Sequence, residues 1–277
     1  MVQSSLAATR LTLAHQFFMT LERLKLQLLV KGFDLVQPFD VEQTGAWLAF
    51  FAEPWARALL PTWLLEELRT GGVTGLLIGN SRLLWERFLS HLESDPALKD
   101  TKHPLDQYSE QSIKDELSSF LGGSWEGAYL GFAHQLEPCA LPMQRLAAHS
   151  GLAHLAPCGL AIHATYGPWM ALRAVVFLAK GSTPVGLTQP SSSNPAPAPC
   201  DSCAQPCMNA FKRASGLAQH RPPRVPETSS SAPPQLSHRS RLWLEVRNCC
   251  PVGREQRYGD NQITYHYDKL NTALRKD

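Results

Sequence analysis

The chain has 277 residues, of which 44% are hydrophobic and 18% are charged, and its formal net charge is +2. This composition predicts a globular protein with a substantial core and excludes a disordered chain or a coiled coil. The near-neutral charge provides no basic field for nucleic acid, and no apolar run approaches the roughly 18 residues that a membrane helix requires.

Helices and strands are predicted to alternate over the first 180 residues. In chain order, apolar spacing predicts helix 6–30, strand 33–36, helix 46–70 broken at Pro61, strand 73–78, helices 81–92, 109–121 and 142–149, and strands 159–163 and 173–179. The last strand is a continuous apolar run, which is typical of a strand covered on both faces. The order predicts an α/β or α+β sandwich.

The N-terminal segment has two interpretations. Residues 1–21 contain Arg10 but no acidic residue, which resembles an organelle transit peptide. The apolar spacing, however, continues without a break to Leu29, and a first amphipathic helix explains this more simply. We therefore expect a cytoplasmic protein, with mitochondrial or plastid targeting as the alternative.

Two Pro- and Ser-rich stretches, 181–199 and 222–237, divide the rest of the chain. Such segments bury too little apolar surface to order themselves, so we interpret them as linkers. The predicted organisation is a core at 1–180, a region at 181–240 whose linkers enclose a cysteine-rich segment at 200–221, and a C-terminal part at 241–277. In this last part we predict a strand at 241–246 and a helix at 262–274 that return to the core.

The seven cysteines are unevenly distributed, since five of them lie in the last 78 residues. Their odd number does not suit a secreted disulfide framework. The pattern C-x2-C-x3-C from Cys200 to Cys207, followed by Cys249-Cys250-Pro251, suggests metal or iron–sulfur ligation in a reducing compartment.

The densest group of functional side chains lies at 157–177. One strand leads to His163 and a Tyr-Gly-Pro-Trp turn, and a second strand leaves with Arg173. The backbone amide of Gly167, the aromatic rings of the turn and one cation suit a flat, amide-rich or phosphate-bearing cofactor. The alternative is a hairpin whose aromatic residues pack in the core with a hydrogen-bonded His163.

The sequence Gly-Leu-x-Ile-His-x-x-Tyr-Gly-Pro-Trp-x-x-Leu-Arg-Ala-Val at 159–175 resembles a hairpin of cobalamin-binding flavoreductase-like domains. These include the cobalamin-processing proteins of the methylmalonic aciduria and homocystinuria type C family, and the epoxyqueuosine reductases. Segments 32–39, 75–80 with Trp85, and 103–108 are similar to further parts of these domains. The resemblance covers about residues 30–180.

The resemblance implies a nitroreductase-like α/β (α+β) sandwich that binds cobalamin in the base-off form. The cofactor-binding residues that it implies are His163, Tyr166, Gly167 and Trp169, with Tyr265 and His266 in a C-terminal stretch that closes over the cofactor.

The implied catalytic residues are Arg173 and Asp106. Arg173 would face a glutathione carboxylate, a corrin side chain or a structural acid. Asp106 would supply a proton or a hydrogen bond, or stabilise the start of its helix.

The cysteine segment is similar to an iron–sulfur motif of the epoxyqueuosine reductases. The ferredoxin pattern is C-x2-C-x2-C-x3-C-P, from which this sequence departs by a shifted third cysteine and by Phe211-Lys212 at the expected Cys-Pro. Three interpretations stay open: one iron–sulfur cluster, a zinc site, or a degenerate motif with free thiols. The ligands predicted for the first two are Cys200, Cys203, Cys207 and Cys250.

The sequence therefore predicts a reductase that removes the upper axial ligand of cobalamin by decyanation or dealkylation, with an iron–sulfur cluster as a possible aid. Its partners are a corrinoid and an electron donor, with flavin or glutathione as further candidates, and not nucleic acid or a membrane. The alternatives are a non-catalytic cobalamin chaperone and an epoxyqueuosine reductase-like iron–sulfur protein.

Overall fold

A computed structural model describes residues 20–41, 60–135, 140–182, 198–201, 203–218, 236–269 and 271–274. The predicted helix segments 6–19 and 46–59, Cys139 and most of the two predicted linkers lie outside these residues. Within the described ranges, no helix combines the length and apolar character needed to cross a membrane.

The helices in chain order are α1 (Leu21–Val30), α2 (Thr62–Thr70), α3 (Leu83–Ser94), α4 (Pro96–Lys99), α5 (Pro104–Phe120), α6 (Met143–His149), α7 (Pro206–Ala218), α8 (His238–Asn248) and α9 (Asp260–Asp268). The strands are β1 (Leu35–Asp40), β2 (Val73–Asn80), β3 (Ala128–Phe132), β4 (His154–Leu155), β5 (Ala161–Ile162) and β6 (Ala171–Ala179). Short 3-10 turns lie at Lys180–Ser182, Arg254–Gln256 and Asn271–Ala273.

A four-stranded sheet in the order β1-β2-β6-β3 forms the centre of the molecule, and all its strand pairs are antiparallel. A second, two-stranded sheet joins β4 and β5. This mixture of helices and antiparallel strands confirms the α+β class. The nitroreductase-like assignment stays a prediction.

Both faces of the central sheet are covered. Alternate residues of β6 point to opposite faces, so Val176 packs with α1, α3 and α5 on one side, while Val175 packs with α2 and α6 on the other. All residues from Arg173 to Leu178 are buried. The predicted two-sided burial of this strand is therefore confirmed.

Local signals explain where several helices begin and end. Thr20 caps α1 by accepting the backbone N–H of Arg23 at 3.3 Å, and α5 begins with Pro104, whose missing N–H costs nothing at this position. Helix α2 ends at Gly71, which adopts the left-handed conformation at φ 76°.

The C-terminal region differs from the prediction. Residues 241–246, predicted as a strand, lie inside α8, and the predicted helix 262–274 is replaced by α9 and a separate 3-10 turn. The side chains of Ser237 and Asp268 fix the start of α8. Its buried residues Leu244 and Val246 face two different clusters, so packing against α7 and α9 outweighs the short alternation of apolar residues.

Candidate functional site

Arg173 is a cation almost completely enclosed by the core, with 9% of its surface exposed. Its Nε donates a hydrogen bond of 2.7 Å to Oδ1 of Asn80, and its Nη1 lies 3.7 Å from Oδ1 of Asp106. Within the described part of the chain, its Nη2 has no hydrogen-bond partner. Burial lowers the pKa of Arg173, and the charge of Asp106 opposes this shift.

Asp106 reaches Arg173 from the first turn of α5. The preceding residue, Leu105, donates its backbone N–H to the hydroxyl of Tyr265 in α9 over 3.3 Å. Burial raises the pKa of Tyr265 to about 12, so this hydroxyl stays protonated. Residues far apart in sequence thus hold the carboxylate that accompanies Arg173.

A cavity of about 330 Å³ lies close to this group, and we call it the aromatic cavity. Ala171, two residues before Arg173 on β6, forms part of its wall. Its other functional wall residues are Cys158, Trp243, Arg247, Tyr258, His266 and Tyr267. Apolar walls with a few polar groups are typical of small-molecule sites, and this volume is at the lower end of their range.

Tyr258 and His266 are two polar groups of this cavity whose pKa values are strongly shifted by burial. Tyr258 is 2% exposed, and within the described residues its hydroxyl has no hydrogen-bond partner. Burial raises its pKa to about 12. Burial, and then the charge of Arg173, hold the pKa of His266 well below its usual value, so its imidazole is neutral near pH 7. The two rings lie 5.5 Å apart.

The predicted cofactor-binding turn lies beside this cavity and is closed by His163. Nδ1 of His163 accepts hydrogen bonds from the backbone N–H groups of Thr165 at 3.1 Å and Tyr166 at 3.2 Å. His163 and Gly167 also exchange two backbone hydrogen bonds, of 3.0 and 2.9 Å. His163 therefore fixes the turn, and Nε2 is the nitrogen that remains for another contact.

Gly167 places this turn in direct backbone contact with the segment after Cys250. Gly167 has φ 55° and Gly253 has φ 65°, and a Cβ on Gly167 would overlap the carbonyl oxygen of Val252. Trp169, which follows the turn, is 1% exposed, and its ring packs 5.6 Å from that of Tyr258. Trp169 thus supports a wall residue of the aromatic cavity from behind.

Five cysteines line a second, smaller cavity of about 20 Å³, which we call the thiol cavity: Cys158, Cys200, Cys203, Cys207 and Cys250. All five are free thiols. Burial, followed by the neighbouring Cys158, raises the pKa of Cys207 to about 12. Across the described ranges, no group of three or more His, Cys, Asp or Glu side chains is arranged to hold a metal ion.

The structure groups the predicted site residues into three neighbouring sets. Arg173 and Asp106 lie together, with Tyr265 bonded to the residue before Asp106, and His266 lines the aromatic cavity. His163, Tyr166 and Gly167 form the hairpin turn. The four predicted metal ligands meet in the thiol cavity.

Sequence reasoning does not single out Asn80, Cys158, Trp243 or Tyr258 as site residues. Tyr258 precedes Tyr265 and His266 in the C-terminal stretch that the sequence predicts to close over a cofactor, so its aromatic composition gives a signal for it. For the other three, only the fold reveals the contact.

Comparison with known proteins finds a similar fold among solved structures. No family model and no curated protein matches the sequence. The chain is similar to the crystal structure of the C. elegans B12-trafficking protein CblC, a human MMACHC homologue, with a TM-score of 0.60 and 14% sequence identity. The similarity covers 92% of this chain and 94% of that chain. The chain thus has the fold of that protein.

Proposed function

We propose that the chain binds a corrinoid and processes the upper axial ligand of cobalamin, by decyanation or dealkylation, in the cytoplasm. The observation that carries this proposal is a buried arginine with an unpaired nitrogen beside an aromatic cavity, in a fold shared with a B12-trafficking protein. Cobalamin is here the substrate.

The residues present fit part of such a substrate. The corrin macrocycle is larger than the aromatic cavity, so only a side arm, an axial group or the thiol that attacks it enters the cavity. Trp243, Tyr258 and Tyr267 offer apolar contact. The hydroxyl of Tyr258 and Nη2 of Arg173 are two donors without an acceptor among the described residues. Cobalamin carries many carboxamide groups, which accept such hydrogen bonds.

Arg173 is the proposed anchor. A buried guanidinium pairs with a carboxylate or a carbonyl oxygen more strongly than an exposed one, because water does not compete. Asn80 accepts the hydrogen bond of Nε, and Asp106 lies near Nη1. Nη2 is therefore left for a corrin amide or for a glutathione carboxylate. Asp106 thereby acts as a positioning residue for Arg173.

The aromatic residues of the hairpin and of α9 are proposed to shape the site. Tyr166 and His163 lie at the partly exposed turn, where they can contact the outer part of the ligand. Trp169 acts through Tyr258, since its own ring is buried. The neutral His266 adds a hydrogen-bonding group without adding charge.

The chemistry that cobalamin supplies is a cobalt centre which accepts electrons more readily without a strong lower axial ligand. The electron donor or the attacking thiol, such as glutathione, comes from outside the described residues. Among the described residues, the thiols of the thiol cavity form no group of three or more that could hold a metal ion. The residues present thus do not fit an iron–sulfur cluster, and the cluster and a flavin stay predictions.

A carrier that binds cobalamin and passes it on unchanged is the second candidate. The similarity in fold to a B12-trafficking protein favours it. Both candidates need the same binding site, and they differ only in whether the upper ligand is lost.

Visible absorption separates these candidates. The full-length chain, purified anaerobically, is titrated with hydroxocobalamin and with cyanocobalamin, and glutathione is then added. A shift to the base-off spectrum followed by ligand loss supports processing, whereas a shift with the substrate recovered intact supports the carrier. An unchanged spectrum rejects both. Broad brown absorption before the titration would show that the cysteines hold a cluster.

Arg173 provides the matched variants. We expect Arg173→Gln to weaken corrinoid binding at least about tenfold, which corresponds to about 1.4 kcal/mol. Arg173→Lys keeps the charge and should retain part of the affinity, while Arg241→Gln, on the exposed face of α8, should bind normally. Circular dichroism of each variant controls for folding, and normal affinity in a folded Arg173→Gln protein would remove Arg173 from the proposed site.

A further inference from the structure

Two thiols of the thiol cavity differ from the other three because they contact each other. The side chains of Cys158 and Cys207 are hydrogen-bonded, and both residues are buried, with 5% and 8% of their surfaces exposed. Both also belong to one cluster of apolar side chains. A disulfide needs two sulfur atoms about 2 Å apart, so closing this pair brings two sulfur atoms from hydrogen-bond contact to bonding distance.

Each of these two cysteines is held by regular local structure. Cys158 lies in the tight loop between β4 and β5, where the backbone N–H of Ala156 donates to Leu160 and that of Gly159 donates to Ala156, each at 2.8 Å. Cys207 is the second residue of α7. One sulfur therefore belongs to the core and the other to the cysteine-rich segment.

The remaining thiols have other local partners. The sulfur of Cys203 accepts the backbone N–H of Gln205 at 3.4 Å, and the sulfur of Cys250 accepts that of Val252. Cys200 lies at the rim of the cavity and is partly exposed. These contacts leave Cys158 and Cys207 as the pair whose side chains already face each other.

Cys158 and Cys207 differ in the cavities that they line. Cys158 lines both the aromatic cavity and the thiol cavity, whereas Cys207 lines only the thiol cavity. A small molecule in the larger cavity reaches Cys158 first. This position makes Cys158 the attacking thiol and Cys207 the resolving thiol.

We propose that Cys158 and Cys207 form a thiol–disulfide exchange site whose co-reactant is a low-mass disulfide of the glutathione disulfide class. The sulfur of Cys158 loses its proton and attacks one sulfur of glutathione disulfide. The disulfide bond of the reagent breaks, and one glutathione leaves and takes up a proton. The sulfur of Cys207 then attacks the sulfur of Cys158, and the second glutathione leaves. The two protein thiols are oxidised, and one glutathione disulfide is reduced to two glutathione molecules.

The product links the loop between β4 and β5 to the start of α7. This connection ties the cysteine-rich segment to the core covalently. The mixed disulfide on Cys158 forms first, because Cys158 is the thiol that also lines the larger cavity. The site does not depend on the proposed corrinoid function.

The test uses the full-length chain, fully reduced and freed of reductant under argon, with glutathione disulfide as the probe. Free thiols are counted in denaturant over time, and peptides are mapped without reduction. We expect the seven thiols to fall to five and one linked pair of peptides to contain Cys158 and Cys207. Unchanged thiols, or a link between two other cysteines such as Cys200 and Cys203, would overturn the proposal.

Single substitutions test the order of the steps. Cys207→Ser should stop at one glutathione on Cys158, and Cys158→Ser should give neither the adduct nor the link. Cys249→Ser is the matched control, because Cys249 neighbours Cys250 but does not line the thiol cavity, and it should form the link as the wild type does. Cys207→Ala serves if the serine variant does not fold. A Cys207 variant that folds but collects glutathione elsewhere contradicts the assignment of Cys158.

Discussion

The aromatic cavity and the thiol cavity share a wall but differ in what they offer. Cys158, Leu160 and Val246 line both. The aromatic cavity has a volume of about 330 Å³, and neither its buried Tyr258 hydroxyl nor Nη2 of the neighbouring Arg173 has a hydrogen-bond partner among the described residues. It therefore has room and polar groups for a ligand. The thiol cavity has about 20 Å³ and is lined by five thiols, of which Cys158 and Cys207 contact each other. The first suits binding from outside, and the second suits chemistry between its own walls.

The largest expected effect comes from breaking the backbone contact that borders the thiol cavity. Gly167→Ala places a Cβ against the carbonyl of Val252, between two backbone segments of the same chain. These segments cannot move apart without separating the hairpin turn from the segment after Cys250. We expect a loss of about 3 kcal/mol or more in the free energy of unfolding. Denaturant titration measures this loss, and a thiol reagent should modify Cys250 faster than in the wild type.

Gly159→Ala is the matched control for this substitution. Gly159 also has a positive φ, of 81°, but a Cβ there meets nothing within 4 Å. Only the left-handed backbone is then strained, which costs about 1 to 2 kcal/mol. Equal losses in the two variants would contradict the steric role of Val252.

Low pH should destabilise the region around the aromatic cavity more than the region around the thiol cavity, because His266 lines only the aromatic cavity. The pKa of His266 in the folded chain lies well below its unfolded value of about 6.5. Between these two values the unfolded chain binds a proton at this residue and the folded chain does not. Stability is unaffected by this group above about pH 6.5 and falls below it, by up to about 1.4 kcal/mol per pH unit.

Denaturant titrations at about pH 7.5 and about pH 5.5 measure this dependence. His266→Gln, which keeps a hydrogen-bonding group but does not titrate, should flatten it. An identical slope in the variant would show that other groups cause the acid sensitivity.

The smallest expected effect concerns the unpaired hydroxyl of Tyr258. A buried hydroxyl without a partner costs free energy, so Tyr258→Phe should leave stability unchanged or raise it by about 1 kcal/mol. The same change should weaken corrinoid binding if this hydroxyl contacts the ligand. A thermal melt and the spectral titration measure the two quantities, and a clear loss of stability would show that the hydroxyl is already bonded.

The sequence could predict the central part of the fold because the core strands carry strong patterns. Strand β6 is one apolar run that is buried on both faces, and α3 and α5 have apolar residues at helical spacing. Helix α8 was missed because Arg241 to Val246 alternate as a strand does. Its helical state depends on contact with α7, which local sequence does not reveal.

The candidate site could be predicted only in part for the same reason. Arg173 and Asp106 were both singled out, but nothing in the sequence joins them to Asn80, which lies 93 positions before Arg173. Cys158 stands alone in the sequence, far from the cysteine-rich segment. Only the packing of α7 against the loop between β4 and β5 gives it a partner.

The contact of α9 with the buried cluster formed by α1, α3 and α5 has a consequence for folding during synthesis. Tyr265 packs 5.5 Å from Trp85 and caps the start of α5, and Leu274 belongs to the same buried cluster as Leu24 of α1. This cluster therefore stays incomplete on the ribosome until residues 265–274 have emerged from the exit tunnel. A nascent chain that stalls within the cysteine-rich segment would expose Trp85 and Phe88 to chaperones.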